Sequence, residues 1–256
     1  DALPISMIIY ILLTQLPIGI ATFYNNIITP ILVIIAFFIV TIVFYYYNIK
    51  NSNQENNFVK TAKKFTLKNI VFLLVIVCGY LLIQCSIFPF AKILPGYETY
   101  QGYLKRIATN FVFMITYGCV LGPVMEEFVF RGIILKGLLK SYSNKIAILL
   151  SALIFAIFHL NLIQGMVAFL LGLLLGYVYI KTHSIYLCML THIINNIFFF
   201  SLSLLYPQWV EIFSCNILRS ILITIAGLLI IIFGFKKLIG NINNSNIQKT
   251  LNIPIY

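Results

Sequence analysis

Residues 69–90 read NIVFLLVIVCGYLLIQCSIFPF, a run of this length without a single charged side chain. At about 1.5 Å of rise per residue, such a helix reaches roughly 30 Å, the thickness of a bilayer's hydrocarbon core. Lipid offers no water to satisfy peptide N–H and C=O groups. A segment of this kind must therefore be a helix, which closes its own hydrogen bonds.

Working outward from it, seven further apolar segments occupy about 5–24, 27–47, 107–130, 146–161, 163–180, 185–206 and 213–235, each bounded by polar, Pro, Gly or Asn signals. The predicted fold class is all-α, a polytopic transmembrane helical bundle of about eight helices. Composition agrees: the 256 residues are 61% hydrophobic and 9% charged, with mean hydropathy +1.02. A soluble domain carries roughly a quarter of its residues as charges. Residues 5–24 lack a basic leading region and a small-residue cleavage site, so they read as a spanning helix rather than a signal peptide. We divide the chain into N-terminal transmembrane helices at 1–100, with a basic loop at 48–68, a helix core at 107–206, and a last helix with a polar, Asn-rich tail at 213–256.

The net charge is +11. With the N-terminus on the cytoplasmic side, 13 of the 17 basic residues fall in inner segments. Only Lys92, Lys105, Arg106 and Arg219 remain outside. The positive-inside rule then predicts a multi-pass cell-membrane protein with both termini cytoplasmic. A basic inner face meets anionic lipid headgroups. The charge is thus accounted for by membrane lipids, and no nucleic-acid motif accompanies it. The weight of Ile, Asn, Lys, Phe and Tyr points to an AT-rich, bacterial genome.

The cysteines, Cys78, Cys85, Cys119, Cys188 and Cys215, show no CxxC or Cys/His metal spacing and read as buried thiols. There is no internal repeat. Gly118 with Gly122, and Gly172 with Gly176, form GxxxG pairs that would let helices approach closely. Residues 134–145, ILKGLLKSYSNK, read as an interfacial amphipathic stretch or a linker.

Chemistry concentrates in few places. Of six acids, Asp1, Glu55, Glu98 and Glu211 lie at the start or in loops. Glu126 and Glu127 stand together in GPVMEEFVFRG, at the inner end of an apolar segment. A charge near a helix centre costs roughly 2.5–3.5 kcal/mol on insertion scales, so a tandem pair must be neutralised or used. Arg131 follows Glu127 by four residues and can pair with it on one face. Glu126 is rotated by about 100° and can point elsewhere, as a general base would. The bland alternative is a charge cluster at the membrane surface, with Arg131 on lipid phosphate. Pro123 removes the hydrogen bond to the Cys119 carbonyl, and a local kink there would shape a cavity.

His159 lies in FAIFHL, with Phe155 one turn behind it. His192 lies in LTHIINNIFFF, with Asn196 four residues on and on the same face. Asn195 is rotated off that face and reads as structural. His183, in the loop KTHS, reads as non-catalytic. A lone intramembrane histidine is often a packing residue; these two accompany the intramembrane carboxylates.

Glu126-Glu127-x-x-x-Arg131, Phe155-x-x-x-His159 and His192-x-x-x-Asn196 together resemble the three ordered motifs of the CPBP family. That family groups CAAX prenyl endopeptidases of the Ras-converting-enzyme type with relatives linked to bacteriocin self-immunity. The resemblance covers about 107–206. It implies an intramembrane endopeptidase acting on a peptide or membrane-protein substrate. It further implies that Glu126 and His159 activate water and that His192 and Asn196 stabilise the oxyanion. Glu127 and Arg131 would hold the first motif in shape. The family is often labelled metalloprotease, and two Glu and two His are able ligands for Zn²⁺. With no HExxH present, we read glutamate chemistry that requires no cofactor, with zinc as the alternative.

Two other functions compete with the peptidase: a non-enzymatic bacteriocin-immunity or scaffolding protein of the same fold, and a proton-coupled carrier, whose repeated halves are missing here. One tension concerns depth. Counted along the helices, Glu126 falls near the inner leaflet and His159 higher; a re-entrant or tilted helix starting later than Lys145 would bring them level.

Overall fold

The computed structural model describes residues 66–109, 111–205 and 216–250, with Ile35, Ile39, Ile42, Val43 and Tyr46 as single helical positions. The predicted spans 5–24 and 27–47, most of the 48–68 loop, Cys215 and the residues beyond Thr250 lie outside the described residues.

Among the described residues there are seven helices and no strand. They are α1 (Leu67–Ile87, continued by a 3₁₀ turn at Phe88–Ile93), α2 (Tyr97–Thr109) and α3 (Phe111–Leu138). Then follow α4 (Asn144–Phe158), α5 (Leu162–Thr182), α6 (Ile185–Leu205) and α7 (Ile217–Thr250). Five of these, α1 with its extension, α3, α5, α6 and α7, are long and apolar enough to cross a membrane. The chain is a multi-pass helical membrane protein.

Polar residues set the helix starts. The Thr66 hydroxyl accepts from the Asn69 N–H at 3.2 Å. The Asn161 carboxamide accepts from the N–H groups of Ile163 and Gln164 at 3.1 and 3.0 Å. Ser184 accepts from Leu187 at 3.3 Å, and Asn216 from Arg219 at 3.1 Å. Each satisfies N–H groups that the first helical turn leaves without a partner, a cost that lipid would magnify.

Several boundaries differ from the sequence expectation. The segment expected at 107–130 divides: α2 ends at Thr109, and α3 runs on to Leu138. The stretch 134–145 is thus helix to Leu138 and a turn only at 139–143. The Asn-rich tail is helical through Thr250, because neither Gly nor Pro interrupts 241–250. Around Pro123 the helix continues, but Met114–Leu121 is wound as π helix. Widening the turn ahead of a proline makes room for a ring that would otherwise strike the preceding carbonyl.

Two compact units emerge among these helices, residues 95–176 and residues 66–94 with 177–250. In the second, α1 and α7 run antiparallel. Gly79 and Gly227 face each other so closely that a Cβ on either would sit 2.6 Å from the other's carbonyl oxygen. Flanking this crossing, Ser86 and Thr224 share a hydrogen bond of 2.8 Å, and Asn241 donates to Asn69 at 2.7 Å. Close backbone contact and interhelical polar bonds are the forces available where burial from water drives nothing. Cys78 corrects one expectation: it is exposed on α1, between Leu74 and Leu82 on the outward stripe, whereas Cys85, Cys119 and Cys188 are buried.

In the first unit, α4 packs between α3 and α5. A Cβ on Gly172 would meet Ala152 at 3.0 Å, and one on Gly176 would meet Ile148 at 3.1 Å, so that GxxxG pair does bring two helices together. In the other pair, the close neighbour of Gly122 is the Tyr117 carbonyl of its own π-wound turn. Val129, Phe130, Ile134, Phe155, Phe158 and Ala168 form the unit's buried core.

Candidate active site

Glu126 and Glu127 lie on the α-helical part of α3, Gly122–Val129, between two π-wound stretches, Met114–Leu121 and Phe130–Leu135. The offset of about 100° between successive residues separates them. Glu127 is fully buried, and Glu126 is half-buried on a different face.

Arg131 Nη1 donates to Glu127 Oε1 at 2.8 Å, and both side chains are fully buried. The surface-cluster alternative, with Arg131 reaching lipid phosphate, is therefore overturned. Arg131 Nη2 donates to the Gly172 carbonyl of α5 at 3.2 Å. Its Cζ lies 5.1 Å from the centre of the Phe155 ring. Carboxylate, carbonyl and aromatic face replace water around the two terminal nitrogens, while the buried Nε has no hydrogen-bond partner among the described residues; a desolvated cation on a ring gains about 2 kcal/mol. Arg131 thus joins α3 to both α4 and α5.

His159 stands one residue beyond the end of α4, not within the helix as the apolar run 146–161 implied. Leu160 follows in the left-handed region, φ 50°, and Asn161 opens α5. The imidazole Nδ1 lies 2.8 Å from the Phe155 carbonyl. A carbonyl only accepts, so Nδ1 carries the hydrogen. In the neutral ring the lone pair then sits on Nε2, the nitrogen able to hold a water by accepting from it. Phe155 also packs edge-on against the His159 ring at 4.9 Å and against Phe130 at 4.7 Å. One phenylalanine therefore touches both the arginine of the first motif and the histidine of the second.

The depth tension resolves differently from the expectation. α4 starts at Asn144, not later than Lys145, and its 15 residues rise about 22 Å, too little to cross the hydrocarbon core. Because α3 extends to Leu138, Glu126 lies about 18 Å along the helix from that end. Counted the same way, His159 lies about 22 Å along α4 from Asn144.

His192 and Asn196 belong to α6, in the second unit. His192 is buried and Asn196 half-buried. The neighbouring Asn195 is buried as well and donates from Nδ2 to Asn196 Oδ1 at 3.1 Å. His183 is exposed just past α5, with φ 49°. Sequence reasoning passed over the Gly172 carbonyl, which leaves no trace in side-chain pattern. Asn195, read as structural because it is rotated away from His192, is buried and bonded to Asn196.

Among the described residues, no three His, Cys, Asp or Glu side chains gather as a set able to hold one metal ion. Glu127 is moreover committed to Arg131.

A family model described as type II CAAX prenyl endopeptidase Rce1-like matches residues 108–198. That interval contains all three motifs in order. Over that interval, about a third of its length, the chain is similar to the CPBP family. "Putative membrane peptidase YdiL" of Bacillus subtilis (strain 168) is 31% identical over 85 residues, 33% of this chain. The match spans about a third of that relative's length, 35%. No solved structure matches the chain.

Proposed function

We propose that this protein is a membrane-embedded endopeptidase that hydrolyses a peptide or membrane-protein substrate with Glu126 as general base. The observation that carries the reading is the buried Glu127–Arg131 pair, tied through Phe155 to His159. It commits Glu127 to structure, while Glu126 stands half-buried on another face of the helix.

Water held by Glu126 and His159 Nε2 attacks the scissile carbonyl carbon, and Glu126 takes the proton. The carbonyl oxygen becomes an oxyanion, to which His192 and Asn196 donate hydrogen bonds. When the intermediate collapses, the C–N bond breaks and the proton passes from Glu126 to the leaving nitrogen. No step runs through a metal. Both termini face the cytoplasm of a bacterial cell, and the substrate is a peptide pheromone, a bacteriocin leader or a membrane protein.

The test is cleavage by the purified protein in liposomes, offered internally quenched peptides with and without a prenyl group. Hydrolysis that scales with protein supports the peptidase. Binding of these peptides without any hydrolysis contradicts it and favours an immunity or scaffolding role.

A further inference from the structure

Asn195 and Asn196 are adjacent on α6, and neighbours in a helix normally point about 100° apart. Their side chains nevertheless meet, with Asn195 Nδ2 donating to Asn196 Oδ1 at 3.1 Å. Asn195 is 3% exposed. Its own oxygen has no hydrogen-bond partner among the described residues. A buried acceptor left in that state is costly. An apolar side chain of similar size would avoid the cost. Against that cost stands the hydrogen bond it donates to Asn196.

A carboxamide has two ends of opposite character, an accepting oxygen and a donating NH₂. Only the NH₂ end can stabilise an oxyanion. If the group turns by half a rotation, it presents an oxygen to a developing negative charge. We propose that Asn195 is a positioning residue: by holding the oxygen of Asn196, it keeps that residue's Nδ2 hydrogens as the end presented to the reacting carbonyl. The inference rests on the proposed role of Asn196 and deepens it. An oxyanion donor works only if it is oriented before charge develops, because reorientation during the reaction forfeits the stabilisation.

The experiment is a double-mutant cycle in liposomes. Its probe is the internally quenched peptide that wild type cleaves fastest, and kcat, KM and thermal stability are read for each variant. Asn195→Leu removes the donor and the unsatisfied oxygen while keeping the number and branching of side-chain heavy atoms. It should lower kcat about 10- to 100-fold, somewhat less than losing a donor outright. KM should hold, and the melting temperature should stay level or rise. In an Asn196→Ala background the same change should have no further effect on kcat, since it acts through the missing group. Asn195→Ala is run in parallel, so that poor accumulation of one variant leaves the cycle closed.

An equal loss of kcat from Asn195→Leu in both backgrounds would overturn the proposal. So would wild-type kcat, or a loss that tracks reduced stability. Glu126→Gln separates the two levels. If it abolishes cleavage while Asn195→Leu is silent, the positioning role alone is wrong. If Glu126→Gln cleaves normally, the site reading fails and this inference falls with it.

Discussion

Arg131 lies over the ring of Phe155, its Cζ 5.1 Å from the ring centre, while its guanidinium also holds Glu127 at 2.8 Å. The arginine is fully buried. It therefore cannot trade a lost partner for water, as a surface arginine would. Glu127→Gln should cost about 3–5 kcal/mol, the loss typical of breaking a buried pair on one side. The measurement is thermal or denaturant unfolding in detergent. Arg131→Lys should restore little, because an ammonium cannot span carboxylate, carbonyl and ring together.

Gly172 offers a second route to the same assembly. A Cβ there would sit 3.0 Å from both the Cα and the Cβ of Ala152. α5 would have to move away from α4, taking the carbonyl that accepts from Arg131 with it. Gly172→Ala should destabilise by about 1–3 kcal/mol, the usual range for overpacking, and lower cleavage although it removes no polar group. Pairing it with Ala152→Gly, which returns the space, should recover much of both losses.

These contacts show what a one-dimensional reading can carry. The apolar runs located α1, α5 and α6 to within a few residues, since lipid enforces length and composition together. The i,i+4 spacing gave the Glu127–Arg131 pair outright. Burial of that pair was not legible. It depends on Gly172 and Phe155, which come from other helices, and on α3 running through the Lys-containing stretch to Leu138. The end of α4 at Phe158 was hidden for a similar reason. The apolar run goes on past it, while Leu160 turns into the left-handed region and Asn161 caps the next helix. Asn195 was read as structural from where its side chain leaves the helix; that this side chain ends on Asn196 was not legible in the sequence.

Metal dependence has a direct test. Protein stripped with a strong chelator and dialysed should keep its cleavage rate, because the proposed water activation rests on Glu126 and His159 alone. Activity lost on stripping and restored by Zn²⁺ would assign the histidines to a ligand role.

Orientation follows from the distribution of Lys and Arg. Single cysteines at Ser52 and Pro95, in a background without other reactive thiols, should label differently from outside intact cells. Pro95 should react with an impermeant reagent, and Ser52 only after the membrane is opened. The reverse pattern would invert the topology.

The most direct test of the account compares wild type, Glu126→Gln and His183→Asn in liposomes at matched protein levels, with one internally quenched peptide. Gln keeps the size and hydrogen bonding of Glu126 but cannot take a proton from water. Asn at 183 suits the left-handed backbone that His183 adopts. Glu126→Gln should bring hydrolysis to background while folding and peptide binding persist, and His183→Asn should match wild type. Hydrolysis at the wild-type rate by Glu126→Gln would contradict the central claim.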